Sequence, residues 1–451
     1  MNLKTDIAAL VKAVNGKLLK GQGTAPFRSF ETDSRKVKKG DFFLPLKGLN
    51  HDAHAFLSAT LSAGAGGWIA EAAKIPAQAP ETVIAVDNTL MALQRLAAWH
   101  RTRFKIPLTA ITGSNGKSTV KEMLRSICLR VGNTCSNAGN FNNQFGLPLS
   151  LLELDQTHKF GVFELGASRR GDILEIGTLA RPTCGVITNI GPSHLEYFGS
   201  LEAVFETKTE LAGCLAGGGT LVYNLDDAYL VRLEKTKFNG LTFGSGKEAD
   251  IRVSPGKKME LIHNGNTYKI ALPLSQASHH FYNAAAAAGA ALACGISWEV
   301  IKAGLETFTP PPMRLQILRF NSATVILDAY NANPQSMTMA LRELAYHPAP
   351  RWLMLGDMKE LGAHSLNYHS DLGKALTTAA AEKIFLAGPE MKAAADAFKA
   401  AGGKGLVYAP DIADWLEEAR NLITSKSGTF LIKASRSMKF EKIIEGMALK
   451  N

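Results

Sequence analysis

The sequence predicts an α/β protein in three domains, and three observations predict it. A chain of 451 residues is too long for one ordinary core. Short apolar runs of strand length alternate with helical patterns in two separate stretches, the pattern of parallel sheets. Between those stretches Pro310, Pro311 and Pro312 break any helix and mark a linker. Domains are therefore expected at 1–88, 89–310 and 311–451.

Taken in order, residues 1–13 read as a short amphipathic helix carrying Lys4, Asp6 and Lys12. The first domain ends with an Ala/Pro-rich stretch at 75–80 and a strand at 83–86, and residues 90–103 read as a connecting helix stopped before Pro107. The second opens on an apolar strand at 108–112 and continues with strands at 161–165, 185–188 and 220–223. Residues 251–274 change character. Two alternating runs flank His263-Asn264-Gly265-Asn266, a good hairpin turn, so a small antiparallel appendage is expected there. The alanine-rich run 284–294 is too short for a membrane span and suits close helix packing. The third domain repeats a strand–helix rhythm, with strands at 324–328, 352–355, 383–386, 406–408 and 429–432, the pattern of a doubly wound sheet. It carries no G-x-G-x-x-G, so it does not read as a dinucleotide site.

Composition removes several classes. With 46% hydrophobic and 20% charged residues the chain is neither disordered nor fibrous. No signal segment and no bilayer-length apolar run is visible, so stable membrane insertion is not expected. Five scattered cysteines without a C-x-x-C pair argue against a disulfide framework or a zinc site and fit a reducing cytoplasm. The formal net charge of +10 is concentrated early: residues 1–50 hold ten Lys and Arg against four Asp and Glu. Such an excess suits polyanionic small substrates, an anionic surface or plain solvation, and without a nucleic-acid-binding motif no nucleic-acid partner is expected. A monomer is expected.

The clearest chemical signal is the run Gly113, Ser114, Asn115, Gly116, Lys117, Ser118 and Thr119, lying after a strand and before a helical pattern at 120–130. Glycines let main-chain N–H groups face phosphate oxygens, and the helix N-terminus adds positive potential. Lys117 can neutralise phosphate charge and Ser118 can ligate Mg²⁺. The full Walker pattern fails, because Ile111 stands where its first glycine belongs. Alone, Gly-Lys-Ser is also compatible with an ordinary turn. Glu164 ends an apolar strand and is placed for Mg²⁺, or else is a rim glutamate. His194 follows another strand end and is either a ligand or a structural histidine. On helical pattern alone, Lys208 within 201–215 reads as a solvated helix lysine.

The run 112–119 together with Glu164, the stretch 189–196 and Lys208-Thr209-Glu210 resembles the Mur ligases, ATP-dependent amide ligases. The resemblance spans essentially the whole chain. It implies a UDP-substrate domain, a central P-loop ATPase domain and a Rossmann-like C-terminal domain. Longer stretches, at 328–334 with Ser336-Met337, at 355–362 and at 433–436, resemble the branch that attaches a D-alanyl-D-alanine dipeptide. That resemblance implies UDP-N-acetylmuramoyl tripeptide and D-alanyl-D-alanine as substrates, with ATP and Mg²⁺ as cofactors. It leaves the tripeptide's third residue open between diaminopimelate and lysine.

Residue by residue, the resemblance implies that Lys117 and Ser118 meet ATP phosphates and Mg²⁺, and that Glu164 and His194 hold metal. Lys208 would be the lysine these ligases often carbamylate. Asn283 would lie near adenine, Arg314 near the phosphates and Asp328 near the ribose. Ser34, Arg35 and Lys47 would face the uridine nucleotide. Asn142 and Asn143 would belong to a substrate loop of the central domain, and Asn331, Asn333 and Arg436 to the dipeptide side. The chain departs from the family pattern at His279-His280, where His-Asn is usual, and at Met313, where glycine often precedes the arginine. A sister ligase adding one amino acid, a P-loop ATPase without ligase activity and a non-catalytic nucleotide-binding module are the alternative readings.

Overall fold

The computed structural model describes residue 3 and residues 5–447, apart from 49, 234–237, 255–258 and 276. Met1 and Lys4 of the expected first helix lie outside the described residues; the helix itself runs Ile7–Val14, capped by the Asp6 carboxylate on Ala9 N–H.

Three main sheets organise the described residues. The first orders Lys17–Lys20, Thr82–Val86, Gly67–Glu71, Phe42–Phe43 and Phe30–Glu31. Its last two strands are two residues long, below what alternation can reveal. The helix Thr89–Arg101 follows, with Asn88 capping Met91 N–H. Arg101, buried at its C-terminal end, donates to the carbonyls of Phe104 and Ala180. Those bonds tie the connector to the middle sheet.

The middle sheet places Leu108–Thr112 between Phe160–Glu164 and Cys184–Ile187, parallel to both. The chain leaves Leu108–Thr112 on one side and returns on the other, so the loop after it stands at a topological switch point, where open α/β sheets bind ligands. Thr220–Asn224, Asn239–Gly244 and Ile251–Ser254 extend this edge in parallel. Met259–His263 and Asn266–Ile270 then add an antiparallel hairpin. Asn264 and Gly265 both take positive φ (48° and 76°), as a type I′ turn requires. The expected appendage is thus the edge of the main sheet, because Ile251–Ser254 pairs with both the parallel and the antiparallel parts. The helix Ser278–Ala293 lies on this sheet with Ala284–Ala288, Ala290 and Ala291 buried. A Cβ at Gly289 would stand 2.9 Å from Leu241 and Val222, so small residues set how closely the helix approaches.

The third sheet orders Gln316–Phe320, Ala323–Asp328, Gly428–Lys433, Arg351–Gly356, Lys383–Ala387 and Leu406–Ala409, with only the first strand antiparallel. The C-terminal strand inserts beside Ala323–Asp328, so Asp328 and Lys433 are register partners. Met313 and Leu315, in the segment entering this sheet, take φ of 56° and 51°. Glycine reaches that left-handed region without a Cβ penalty, which accounts physically for the glycine pattern from which Met313 departs. All five cysteines are free, and all but Cys294 are buried. Among the described residues, no helix is long and apolar enough to cross a membrane.

Candidate active site

The loop after Leu108–Thr112 is knitted to the loop after Cys184–Ile187. Ser114 N–H donates to Asn189 O (2.9 Å), Asn115 N–H to Asn189 Oδ1 (3.0 Å), and Thr188 Oγ1 to Asn115 O (2.6 Å). Two glycines are demanded by close approach. A Cβ on Gly113 would sit 1.9 Å from Thr188 Oγ1, and one on Gly116 would sit 2.4 Å from Asn283 Oδ1. Asn283 is therefore held directly over the loop. Gly116 caps the helix Lys117–Leu129, whose free N–H groups face the cleft. Lys117 Nζ donates to the carbonyls of Gly113 (2.8 Å) and Ser114 (3.4 Å).

Glu164, on the neighbouring strand tip, is buried. Ser118 Oγ donates to its Oε2 and Asn142 Nδ2 to its Oε1 (2.8 Å). Burial alone would raise its pKa, but Lys117, Arg314 and these two donors outweigh it and keep the carboxyl below its ordinary value. Asn143 does something different: its Oδ1 accepts from the N–H groups of Phe145 and Gly146, so its side chain builds the turn.

Asn137 was not legible as a site residue. It is buried, accepts from Glu164 N–H (2.9 Å) and donates to the Glu164 and Phe141 carbonyls (2.9 Å each). It braces the Glu164 strand tip by its main chain. Asn137→Ala would leave both main-chain groups of Glu164 unpaired, and is expected to cost about 3 kcal/mol of stability. Urea unfolding checks this; an unchanged midpoint would refute the bracing role.

Lys208, on the helix Leu201–Gly213, is 2% exposed and lines the cleft. The solvated-lysine reading is thus corrected: the helix turns this residue into the molecule, against the strand layer. Burial, then the charge of Lys117, drive its ammonium well below the ordinary lysine value, and Glu164 opposes only in part. His194, at φ 54°, points Nδ1 to within 2.5 Å of Glu360 Oε2, contributed by the C-terminal sheet's loops. If Nδ1 carries the proton toward that carboxylate, Nε2 is the nitrogen left with a lone pair.

The C-terminal side closes the cleft. Arg314 stacks over Tyr330 with its guanidinium carbon 3.9 Å from the ring centroid. Asp328 accepts from Leu315 N–H (3.2 Å) and from the buried Lys433 Nζ (2.6 Å), which also donates to Asn331 O (2.9 Å). Asn333 caps the helix Pro334–Ala345 and donates to Asn115 Oδ1 (2.9 Å), while Asn115 Nδ2 donates to Gln335 (2.8 Å). The phosphate loop is thereby bonded across to the third sheet.

A cleft of about 1130 Å³ gathers Ser114, Asn115, Gly116, Lys117, Thr119, Asn142, Asn143, Glu164, His194, Lys208, Asn283, Arg314, Asp328, Asn331 and Asn333. Gly113 and Ser118 lie behind this lining. Ser34, Arg35, Lys47 and Arg436 are not brought to it. Ser34 and Arg35 form a turn on the first domain, where Arg35 pairs with Asp33 (2.8 Å), and Lys47 bridges to Asp52. Arg436, 54% exposed, pairs with Glu441 (2.8 Å). Lys433, Tyr330 and Gln335 join the cleft without having been singled out as site residues; Lys433 arrives through the long-range pairing of the last strand with Ala323–Asp328.

A shortened phosphate loop, a buried carboxylate on the adjacent strand tip and a third domain bonded over both define a nucleotide-dependent enzyme of the phosphoryl-transfer class. Residues 111–291 match the Mur ligase middle domain, and 313–436 the Mur ligase, glutamate ligase domain. The UDP-N-acetylmuramoyl-tripeptide–D-alanyl-D-alanine ligase of Buchnera aphidicola is 36% identical over 430 residues, covering 92% of this chain and 91% of that protein. The ligase of the same name from Escherichia coli is 32% identical, over 99% of this chain and 98% of its own length. A crystal structure of MurF from Acinetobacter baumannii superposes with a TM-score of 0.91 at 31% identity, covering 98% of each chain. MurF ligase from Thermotoga maritima in complex with ADP superposes with 0.82 at 27% identity, over 93% and 96% of the two chains. The chain belongs to the Mur ligase family, in the branch of the UDP-N-acetylmuramoyl-tripeptide–D-alanyl-D-alanine ligases.

Proposed function

We propose that this enzyme uses ATP to join D-alanyl-D-alanine to UDP-N-acetylmuramoyl tripeptide, giving the UDP-muramoyl pentapeptide of peptidoglycan precursor synthesis. The observation that carries this reading is near full-length similarity to ligases of that name, coupled with a cleft that joins a phosphate loop to the third domain.

A carboxylate acylates poorly because oxide is a poor leaving group. Its oxygen attacks the γ-phosphorus of ATP, ADP departs, and an acyl phosphate forms. The dipeptide amine then attacks the carbonyl, loses a proton, and phosphate leaves from the tetrahedral intermediate. Bringing a carboxylate to a triphosphate sets anion against anion, so positioning and charge neutralisation dominate catalysis. Lys117 and Arg314 supply cations; the loop N–H groups and the helix N-terminus cradle phosphate. Asn283 faces the adenine side and Asp328 the ribose.

Ser118 and the Glu164 carboxylate offer the hard oxygen donors that Mg²⁺ favours, and their mutual contact supports one ion being held by both. Mg²⁺ bound there would neutralise developing phosphate charge. His194 would add Nε2. Lys208 cannot ligate as an ammonium; as a carbamate it offers oxygen anions. On the substrate side, Ser34, Arg35 and Lys47 suit the uridine diphosphate, Asn142 and Asn143 the peptide, and Asn331, Asn333 and Arg436 the dipeptide.

The test is phosphate release with ATP, Mg²⁺ and UDP-muramoyl tripeptide, with and without D-alanyl-D-alanine, and mass spectrometry of the product. Release requiring both substrates, with a pentapeptide product, is expected. Hydrolysis indifferent to both, with no new amide, would reduce the enzyme to an ATPase. The acyl phosphate must also be kept from water, so the domains at 1–88, 89–310 and 311–451 should close about hinges near 88 and 310. Superimposable X-ray scattering curves for the free and fully liganded enzyme would rule that closure out.

A further inference from the structure

One turn before Asn283, the cleft wall carries a second cluster to which the steps proposed above give no role. His279 and His280 open the helix Ser278–Ala293 of the middle domain, and Glu343 lies on the helix Pro334–Ala345 of the C-terminal domain. One ligand atom from each lies within 4.8 Å of the other two. His280 and Glu343 are 3% and 2% exposed. His280 Nε2 faces the Glu343 carboxylate, while His280 Nδ1 and His279 Nε2 are buried without a hydrogen-bond partner among the described residues. A buried imidazole normally has partners, so two histidines with unpartnered ring nitrogens, grouped around one buried carboxylate, call for a ligand.

We propose that His279, His280 and Glu343 form a site for a borderline transition-metal ion, Zn²⁺ by its chemistry, that clasps the middle and C-terminal domains together. Two imidazoles and one carboxylate are a donor set that suits Zn²⁺ with a fourth position open to water. Tetrahedral bonds of about 2.0–2.1 Å set ligand atoms roughly 3.4 Å apart. His280 Nε2 and Glu343 Oε2 stand 3.4 Å apart. The surroundings orient the carboxylate as outer-shell groups do: His347 Nε2 lies 2.9 Å from Glu343 Oε1, and Ser275 Oγ donates to Oε2. Arg342 opposes the ion, through its charge on His279. The ligands come from two domains, so occupancy ties them across the cleft and holds the arrangement that bonds Asn115 to Asn333.

The test uses tag-free full-length enzyme stripped of transition metals and saturated with Mg²⁺, which fills oxygen-rich sites but competes poorly for imidazole. Co²⁺ is the probe, because Zn²⁺ has no visible spectrum. The expected result is one equivalent of Co²⁺ giving the intense visible bands of a four-coordinate ion, displaced by one equivalent of Zn²⁺. Glu343→Gln and His279→Ala, each from a different domain, should weaken binding by about 100-fold or more, since even outer-shell partners are worth roughly 10–100-fold. Zn²⁺ should also raise the melting temperature of wild type and of neither variant. His279 is less buried than Glu343, so its variant keeps the test informative if Glu343→Gln fails to fold. Absence of the Co²⁺ bands in wild type, or their persistence in both variants, overturns the site.

Discussion

Lys208→Ala is expected to lower kcat by on the order of a thousandfold, with a short-chain carboxylic acid restoring part of the loss. The reason is that burial and Lys117 disfavour the Lys208 ammonium, leaving a neutral amine that can attack CO₂. The nitrogen bonds to carbon, a proton is lost, and a carbamate stands where a cation would have been. That sign reversal suits a cleft lined by Lys117 and Arg314. In the alanine variant the vacated space accepts a free acid in the carbamate's place. No recovery with acetate or formate, in a variant that still binds ATP, would count against the carbamate. Stability gives an independent readout. The folded pKa of Lys208 lies below its unfolded value, so the unfolded chain binds the proton more tightly. The resulting destabilisation is fully present at pH below the folded value, shrinks as pH rises from there toward the unfolded value near 10.5, and is gone above it. Lys208→Met should therefore raise stability by about 1 kcal/mol or more near neutral pH in bicarbonate-free buffer, while abolishing activity. Calorimetry showing no gain would mean that the charge is better solvated than its burial implies.

Particular residues show what the sequence could and could not reveal. The strand Leu108–Thr112 and the loop after it were readable because apolar run, glycine turn and helix are contiguous. Glu164 and His194 followed once both neighbouring strands were taken as parallel, since parallel strand tips share one edge. Lys208 carried no local signal, because its burial is made by tertiary packing, and only family resemblance flagged it. The pair Asp328–Lys433 was equally silent. Those residues are 105 apart in sequence, and they meet because the final strand inserts beside an earlier one. His279 and Glu343 meet only when two domains are apposed. Asn143, in the same run as Asn142, lines the cleft while its side chain builds the local turn, a division of labour that the run alone does not reveal. The first domain was the least legible, its short strands pairing through long-range contacts, and its expected nucleotide residues stand apart from the cleft.

Lys117→Ala should leave a folded enzyme with about a thousandfold lower kcat and a much smaller change in the KM for ATP. Among the described residues Lys117 bonds only to the carbonyls of its own loop, at Gly113 and Ser114, so its removal breaks no hydrogen bond between domains there. Burial disfavours its ammonium first, and the Glu164 charge partly restores it, so the folded protein loses little by giving the cation up. The cost falls on the reaction. Two unit charges of like sign about 4 Å apart repel by about 4 kcal/mol at an effective dielectric near 20. A cation that cancels that repulsion as the tripeptide carboxylate meets the γ-phosphate is worth about three decades of rate. The loop N–H groups, the helix N-terminus and Asn283, proposed above to hold ATP in the ground state, are left in place by the substitution. Lys117→Arg should rescue poorly. A planar fork cannot occupy the point-charge position between two loop carbonyls, although the formal charge is kept. Single-turnover phosphate release, read beside ATP titration, separates the two terms. A variant whose KM for ATP rises a thousandfold with kcat intact would show that Lys117 holds the nucleotide equally in ground and transition states. The charge-screening role would then pass to Arg314 and the metal-binding residues.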